Sequence, residues 1–245
     1  MPSPSLEQLR GWVAANIGGF HKTRLERLNT LRLGDVLKRK NPYLFKAKNI
    51  QTAEALVKVL LDAHLSSQEE TLFGDFLESL AIYVNGVAFE GRKSNAVGVD
   101  LEFDHDGIRW LVSIKSGPNW GNSSQLRKML DNFKTASRIA RTGNSKLNVR
   151  CVNGCCYGRD NAPDKGDYQK LCGQAFWTFI SGDDALYVDL IEPLGYQAKQ
   201  RNDAFERAYA KVVNKFTGQF IADFCADGEI DWPRLVKFNS AIGNF

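Results

Sequence analysis

The chain has 245 residues, 43% hydrophobic and 24% charged, with 21 glycines and 7 prolines. That composition is enough to bury a sizeable core, and it excludes collagen-like, disordered and small disulfide-stapled classes. Net charge is only +4, yet nine Lys or Arg lie between Lys22 and Lys48 against Glu26 and Asp35, a concentration that marks either a solvated helical face or a polyanion-binding segment.

The first fifty residues read as a basic helical extension: Leu6, Leu9, Val13 and Ile17 recur at helical spacing, as do Leu25, Leu28 and Leu31, and Asn41-Pro42 ends the unit. Residues 51–245 are expected to form the domain that this extension belongs to, one compact unit overall. An amphipathic helix is predicted from Thr52 to His64, with Ala55, Leu56, Val59, Leu60 and Ala63 on one face and Ser66-Ser67 closing it. Ser67 and Glu70 form a capping box for the next helix, which carries Leu72, Phe73, Phe76, Leu77, Leu80 and Ala81 inward and ends near Asn85-Gly86. No apolar run approaches the roughly 18 residues that span a bilayer, since even Ala55 to Leu65 is broken by Lys58 and Asp62. The opening segment also shows no secretory leader, so a cytoplasmic location is expected.

The period changes after Gly91. Val97 to Phe103 and Ile108 to Ile114 are apolar-rich runs separated by Asp104-His105-Asp106-Gly107, a hairpin signature of the Asp-Gly type. A helix follows, opened by Asn122 with Gln125 at the capping-box position and burying Leu126, Met129, Leu130, Phe133, Ala136 and Ile139. Leu147 to Val152 is a third strand, and helices are expected from about Gln197 onward. The cysteines total five, and four of them (Cys151, Cys155, Cys156, Cys172) crowd together. An odd count without paired Cys-x2-Cys spacing favours buried free thiols in a reducing compartment, with a zinc site as the alternative.

Pairing Phe103 with Ile108 sets Asp100 opposite Leu111, and period-two alternation then sends Asp100, Ser113 and Lys115 to one side. Val99, Leu101, Phe103, Trp110, Val112 and Ile114 take the other, as a core face. A carboxylate and a lysine meeting beside a buried hairpin suit phosphodiester hydrolysis, the acid holding a hard cation and the lysine orienting the attacking water. The truncated calcium-loop pattern at Glu102 to Gly107 lacks a glutamate at its twelfth position, where Ser113 stands, and three scattered histidines give little material for His-based catalysis.

In Val99-Asp100 followed by Ser113-Ile114-Lys115 the sequence resembles the PD-(D/E)XK nucleases, and among them the type II restriction endonucleases. Lys115 to Gln125, Tyr168 to Trp177 and Asn41 to Lys46 extend the resemblance over most of the chain. Two positions depart from the pattern: Val99 replaces the proline, and Ser113 stands in the second acid's place. Some restriction enzymes carry Ser there and supply the carboxylate from a helix; here Gly74-Asp75-Phe76-Leu77-Glu78 resembles the Gly-x-x-x-Glu of such a helix. Glu78 is therefore the candidate, with Glu70 and Asp131 as rivals.

The resemblance implies an α/β fold, a mixed sheet flanked by helices. It also implies a homodimer that cuts double-stranded DNA at a short specific sequence with Mg²⁺, leaving 5′-phosphates, beside a cognate DNA methyltransferase in a bacterial cytoplasm. Asp100, Glu78 and the Ile114 carbonyl would hold the metal, with Lys115 and Ser113 completing the catalytic group. Lys38, Arg39, Lys40, Asn119, Trp120, Asn122, Ser123 and Gln125 are the candidate DNA contacts, with Trp120 equally suited to a core. A repair or junction nuclease on the same core and a DNA-binding protein that has lost catalysis are the alternatives.

Overall fold

A computed structural model of the chain describes residues 3–242. In chain order its elements are α1 (Leu6–Thr30), α2 (Leu33–Lys38), α3 (Pro42–Ala47), α4 (Ala53–Phe89), β1 (Arg92–Lys93), β2 (Leu101–His105), β3 (Ile108–Lys115), α5 (Ser123–Ala140) and β4 (Asn148–Cys155). There follow β5 (Gln169–Cys172), α6 (Gln174–Ser181), α7 (Leu186–Asp189), α8 (Ile191–Leu194), α9 (Ala198–Phe224), β6 (Cys225–Ala226), β7 (Glu229–Ile230) and α10 (Trp232–Ser240). The chain divides into two compact units, one of residues 1–17 and 73–196, the other of residues 18–72 and 197–245.

The first unit is the expected α/β architecture. Its five-stranded sheet has the order β1-β2-β3-β4-β5, antiparallel from β1 to β3 and parallel from β3 to β5. On one face α5 packs Met129, Phe133 and Ala136 against Val99, Leu111 and Val149. On the other, Phe89 of α4 stacks on Phe103 and Phe179 of α6 lies against both Phe103 and Trp110. A sheet covered on both faces explains why β3 is buried without a break from Trp110 to Ile114 and β4 from Val152 to Cys155. The second unit is helical, with Leu28, Leu56, Leu60, Leu61, Phe205, Phe216 and Phe220 at its centre.

Several local expectations are revised. The predicted pair of helices over 52–86 is one helix of 37 residues. Ser66-Ser67 does not break it, and Ser67 caps nothing: its hydroxyl bonds the Ala63 carbonyl at 3.1 Å, one turn back, which satisfies it inside the helix. The helix passes Asn85-Gly86 and stops at Phe89, before Glu90 at φ +56°. Its buried stripe is Leu56, Val57, Leu60 and Leu61, leaving Ala55 and Val59 exposed. By length and composition α4 reaches what a bilayer span requires, which its residue runs alone did not indicate. Leu56, Leu60, Leu61, Leu80, Ala81 and Val84 are instead buried within the protein.

Asn41-Pro42 starts α3 where an end was expected: Asn41 Oδ1 accepts from Tyr43 N at 3.0 Å and Pro42 sits at the first helical position. The Asn122–Gln125 capping box forms as read, but Ile139 at the far end of α5 is exposed. The hairpin forms with a different register, Phe103 opposite Trp110 and His105 opposite Ile108. Asp106 and Gly107 both have positive φ, so a two-residue turn suffices where a four-residue loop was expected. The shift is two residues, a full side-chain period, so Ser113 and Lys115 keep their face. Residues 97–100 lie outside β2, and Val99 packs with Leu111 under α5, off the face of Trp110 and Val112.

Candidate active site

β3 ends at Lys115 beside β4, with Lys115 in register with Cys155, and the chain then turns into the loop that leads to α5. Asp100 reaches this strand end from the segment before β2. Its backbone N–H donates to the Val112 carbonyl at 2.8 Å, and its carbonyl accepts from Ser94 N at 3.3 Å. Gly98 makes the approach at φ +74°, where a Cβ would collide with the Asn132 amide of α5.

The Asp100 carboxylate is fixed from three directions. Oδ2 accepts from Ile114 N–H at 2.6 Å and from the Ser113 hydroxyl at 3.4 Å, and it lies 3.7 Å from Lys115 Nζ. Lys115 Nζ also donates to the Ile114 carbonyl at 2.8 Å and sits 5.4 Å from the centre of the Trp120 ring, within cation–π range. The Trp120 indole donates to Asn153 Oδ1 at 3.0 Å, and Asn153 Nδ2 donates to the Ser113 carbonyl at 3.2 Å. Fully buried Asn153 thus ties the loop after Lys115 to the middle of the sheet.

Glu78 comes from α4. Burial pushes its carboxyl above the usual range and the Asp100 charge adds to this, while Lys93 and Lys115 pull it back down. Two carboxylates and two ammonium groups therefore act on one another here. Lys93 Nζ stands 3.6 Å from Glu78 Oε1. The Cys156 thiol is pushed up to about 12, by burial first and the Glu78 charge second. The rival acids are placed less favourably. Glu70 is exposed on α4, about 12 Å along the axis from Glu78, and Asp131 is exposed on α5.

The set offers two carboxylates and one backbone carbonyl. Among the described residues, no three His, Cys, Asp or Glu side chains gather as a metal cage. A family model for the type II restriction endonuclease EcoO109I matches residues 7–202. The chain belongs to that family of type II restriction endonucleases. A search of curated proteins gave no match. As a restriction endonuclease the protein is a DNA hydrolase, and the matched span contains Glu78, Asp100, Ser113 and Lys115.

The other sequence candidates fall in two places. In this restriction endonuclease Lys38, Arg39 and Lys40 lie in the helical unit, where Lys40 donates to the Ala63 carbonyl at 2.9 Å and Lys38 approaches the Phe238 ring. Asn119 and Ser123 are exposed beside the strand end, whereas Asn122 and Gln125 spend their side chains on the capping box. Trp120 is half-buried against the α5 core. Cys155 and Cys172 are neighbours on β4 and β5, and burial together with the Cys172 thiol pushes Cys155 strongly up, as expected of an inert buried thiol. Sequence reasoning missed Lys93 and Asn153, and it read Cys156 as a buried thiol without placing it beside Glu78. Neither Lys93 nor Asn153 left a local signal, and Asn153 falls just past the strand read to end at Val152.

Proposed function

We propose that the protein cuts both strands of duplex DNA at a short specific sequence by Mg²⁺-dependent hydrolysis, leaving 5′-phosphates, on a centre of the PD-(D/E)XK kind. The observation that carries this reading is the convergence of the Asp100 carboxylate, the Ile114 carbonyl and the Lys115 ammonium at the end of β3 with Glu78 coupled to them. The donors fit the metal: all are hard oxygens, and Mg²⁺ binds through one or two carboxylates while keeping several waters. Asp100, Glu78 and the Ile114 carbonyl would hold it. When bound, the ion supplies Lewis-acid polarisation of the scissile phosphate and a more acidic water.

The protein's own groups do the rest. Ile114 N–H and the Ser113 hydroxyl orient Asp100, so Ser113 serves as a positioning residue and is not a ligand. Lys115 holds the attacking water and stabilises charge as it develops on the phosphate. Asn119, Trp120 and Ser123 approach DNA near the cut, and Lys38, Arg39 and Lys40 contact phosphates further away. A homodimer matches a two-fold symmetric site, and a companion methyltransferase protects host DNA in the bacterial cytoplasm. Ser113, neutral where an acid is usual, favours as the second reading a binding protein without cleavage.

The test is digestion of unmethylated phage DNA with Mg²⁺, beside EDTA and Lys115→Ala. Discrete bands that need metal and vanish in the variant are expected. Intact DNA that still shifts on a native gel would favour the binding protein, and cutting confined to branched DNA would favour a repair nuclease.

A further inference from the structure

Each carboxylate of the pair has its own ammonium group. Lys115 Nζ lies 3.7 Å from Asp100 and Lys93 Nζ lies 3.6 Å from Glu78, so two negative and two positive charges balance before any cation arrives. The two lysines are held differently. Lys115 is anchored at 2.8 Å on the Ile114 carbonyl. The Lys93 side chain is 73% exposed while its partner Glu78 is 27% exposed, and among the described residues the ion pair is its one polar side-chain contact. Its backbone, in contrast, is fixed: Lys93 on β1 is in register with Leu101 on β2, and the next residue, Ser94, donates its N–H to the Asp100 carbonyl at 3.3 Å.

We propose that Lys93 is a placeholder for the catalytic cation and a phosphate ligand in turn: its ammonium neutralises Glu78 in the metal-free protein, is displaced when the cation takes that carboxylate, and then binds a phosphodiester oxygen of the DNA beside the cut. This rests on the assignment of Glu78 as a metal ligand. The physics is competition. A cation must expel the ammonium from Glu78, which weakens metal binding without DNA, and the expelled charge then contributes one further phosphate contact when DNA is present. A lysine suits the task, being a point charge on a flexible stem that re-aims without moving the strand.

The two halves predict opposite signs for Lys93→Gln. Without DNA, Mn²⁺ titrated by calorimetry binds roughly two- to fivefold more tightly to the variant, the scale of an exposed ion pair. With Ca²⁺ present to block cleavage, duplex DNA binds more weakly, and the slope of log affinity against log salt falls by about one. A merely structural edge lysine moves neither. Unchanged or weaker Mn²⁺ binding overturns the placeholder, and an unchanged salt slope overturns the phosphate contact. Glu78→Gln is measured alongside: if it binds Mn²⁺ as the wild type does, the Glu78 assignment itself fails, whereas the salt slope of Lys93→Gln still decides the phosphate role.

Discussion

Buried Ser113 donates to Asp100 across 3.4 Å, so the strand position where the resemblance would place an acid here positions one. In the proposed centre the carboxylate that the strand lacks comes from α4, where Glu78 is partly shielded from water and feels the Asp100 charge, both of which raise its carboxyl. A carboxylate in that state is poorly satisfied by solvent and gains most from a divalent cation. Another half of the molecule shows the same physics with the opposite charge. Buried His64, bonded to Gln68 at 2.8 Å, is lowered from its ordinary 6.5 by burial first and by the Arg39 and Lys40 charges next. The unfolded chain takes up this proton before the folded one, so the neutral histidine favours folding above pH 6.5 and that contribution is lost as pH falls through 6.5 toward the lowered value. Urea unfolding at about pH 7.5 and about pH 5.5 should show a smaller loss of midpoint in His64→Gln than in the wild type.

At the scale of elements, β4 and α6 approach so closely at Gly154 that a Cβ would collide with the Phe176 ring. Gly154→Ala should therefore cost about 1–3 kcal/mol of unfolding free energy, read from denaturant midpoints, through overpacking beneath the strand that flanks Lys115. Such packing is invisible in the sequence, whereas locally encoded features were legible. The Asn122–Gln125 box appears as read because the cap is satisfied within four residues. The hairpin was legible as a hairpin, and its face survived a register error because the error equalled one side-chain period. Ser67 and Glu70 misled for the same local reason: the sequence pattern of a cap is present, but Ser67 finds an acceptor one turn back and tertiary packing carries α4 straight through. Asp100, Ser113 and Lys115 could be read together because one hairpin joins them. Lys93 could not be read as the partner of Glu78, because it is α4 packing that brings them together.

For the whole molecule, the basic segment from Lys22 to Lys48 lies in the helical unit and the Asp100–Lys115 centre in the α/β unit. Under the proposed function, phosphate attraction and hydrolysis fall to different parts of one chain, the arrangement expected of a nuclease that must first find its site on a polyanion. The family match spans parts of both units, residues 7–202. The central claim is that the two carboxylates of the centre come from different elements, Asp100 before β2 and Glu78 on α4. Single-turnover cleavage in Mg²⁺ by Glu78→Gln, beside Glu70→Gln and Asp131→Asn, tests it most directly. Loss of rate by about 100-fold or more in Glu78→Gln alone, with DNA binding in Ca²⁺ retained, is the predicted result, on the scale of removing one preorganised electrostatic group from a centre. Full cleavage by Glu78→Gln, or the same loss transferred to Glu70→Gln or Asp131→Asn, would contradict it.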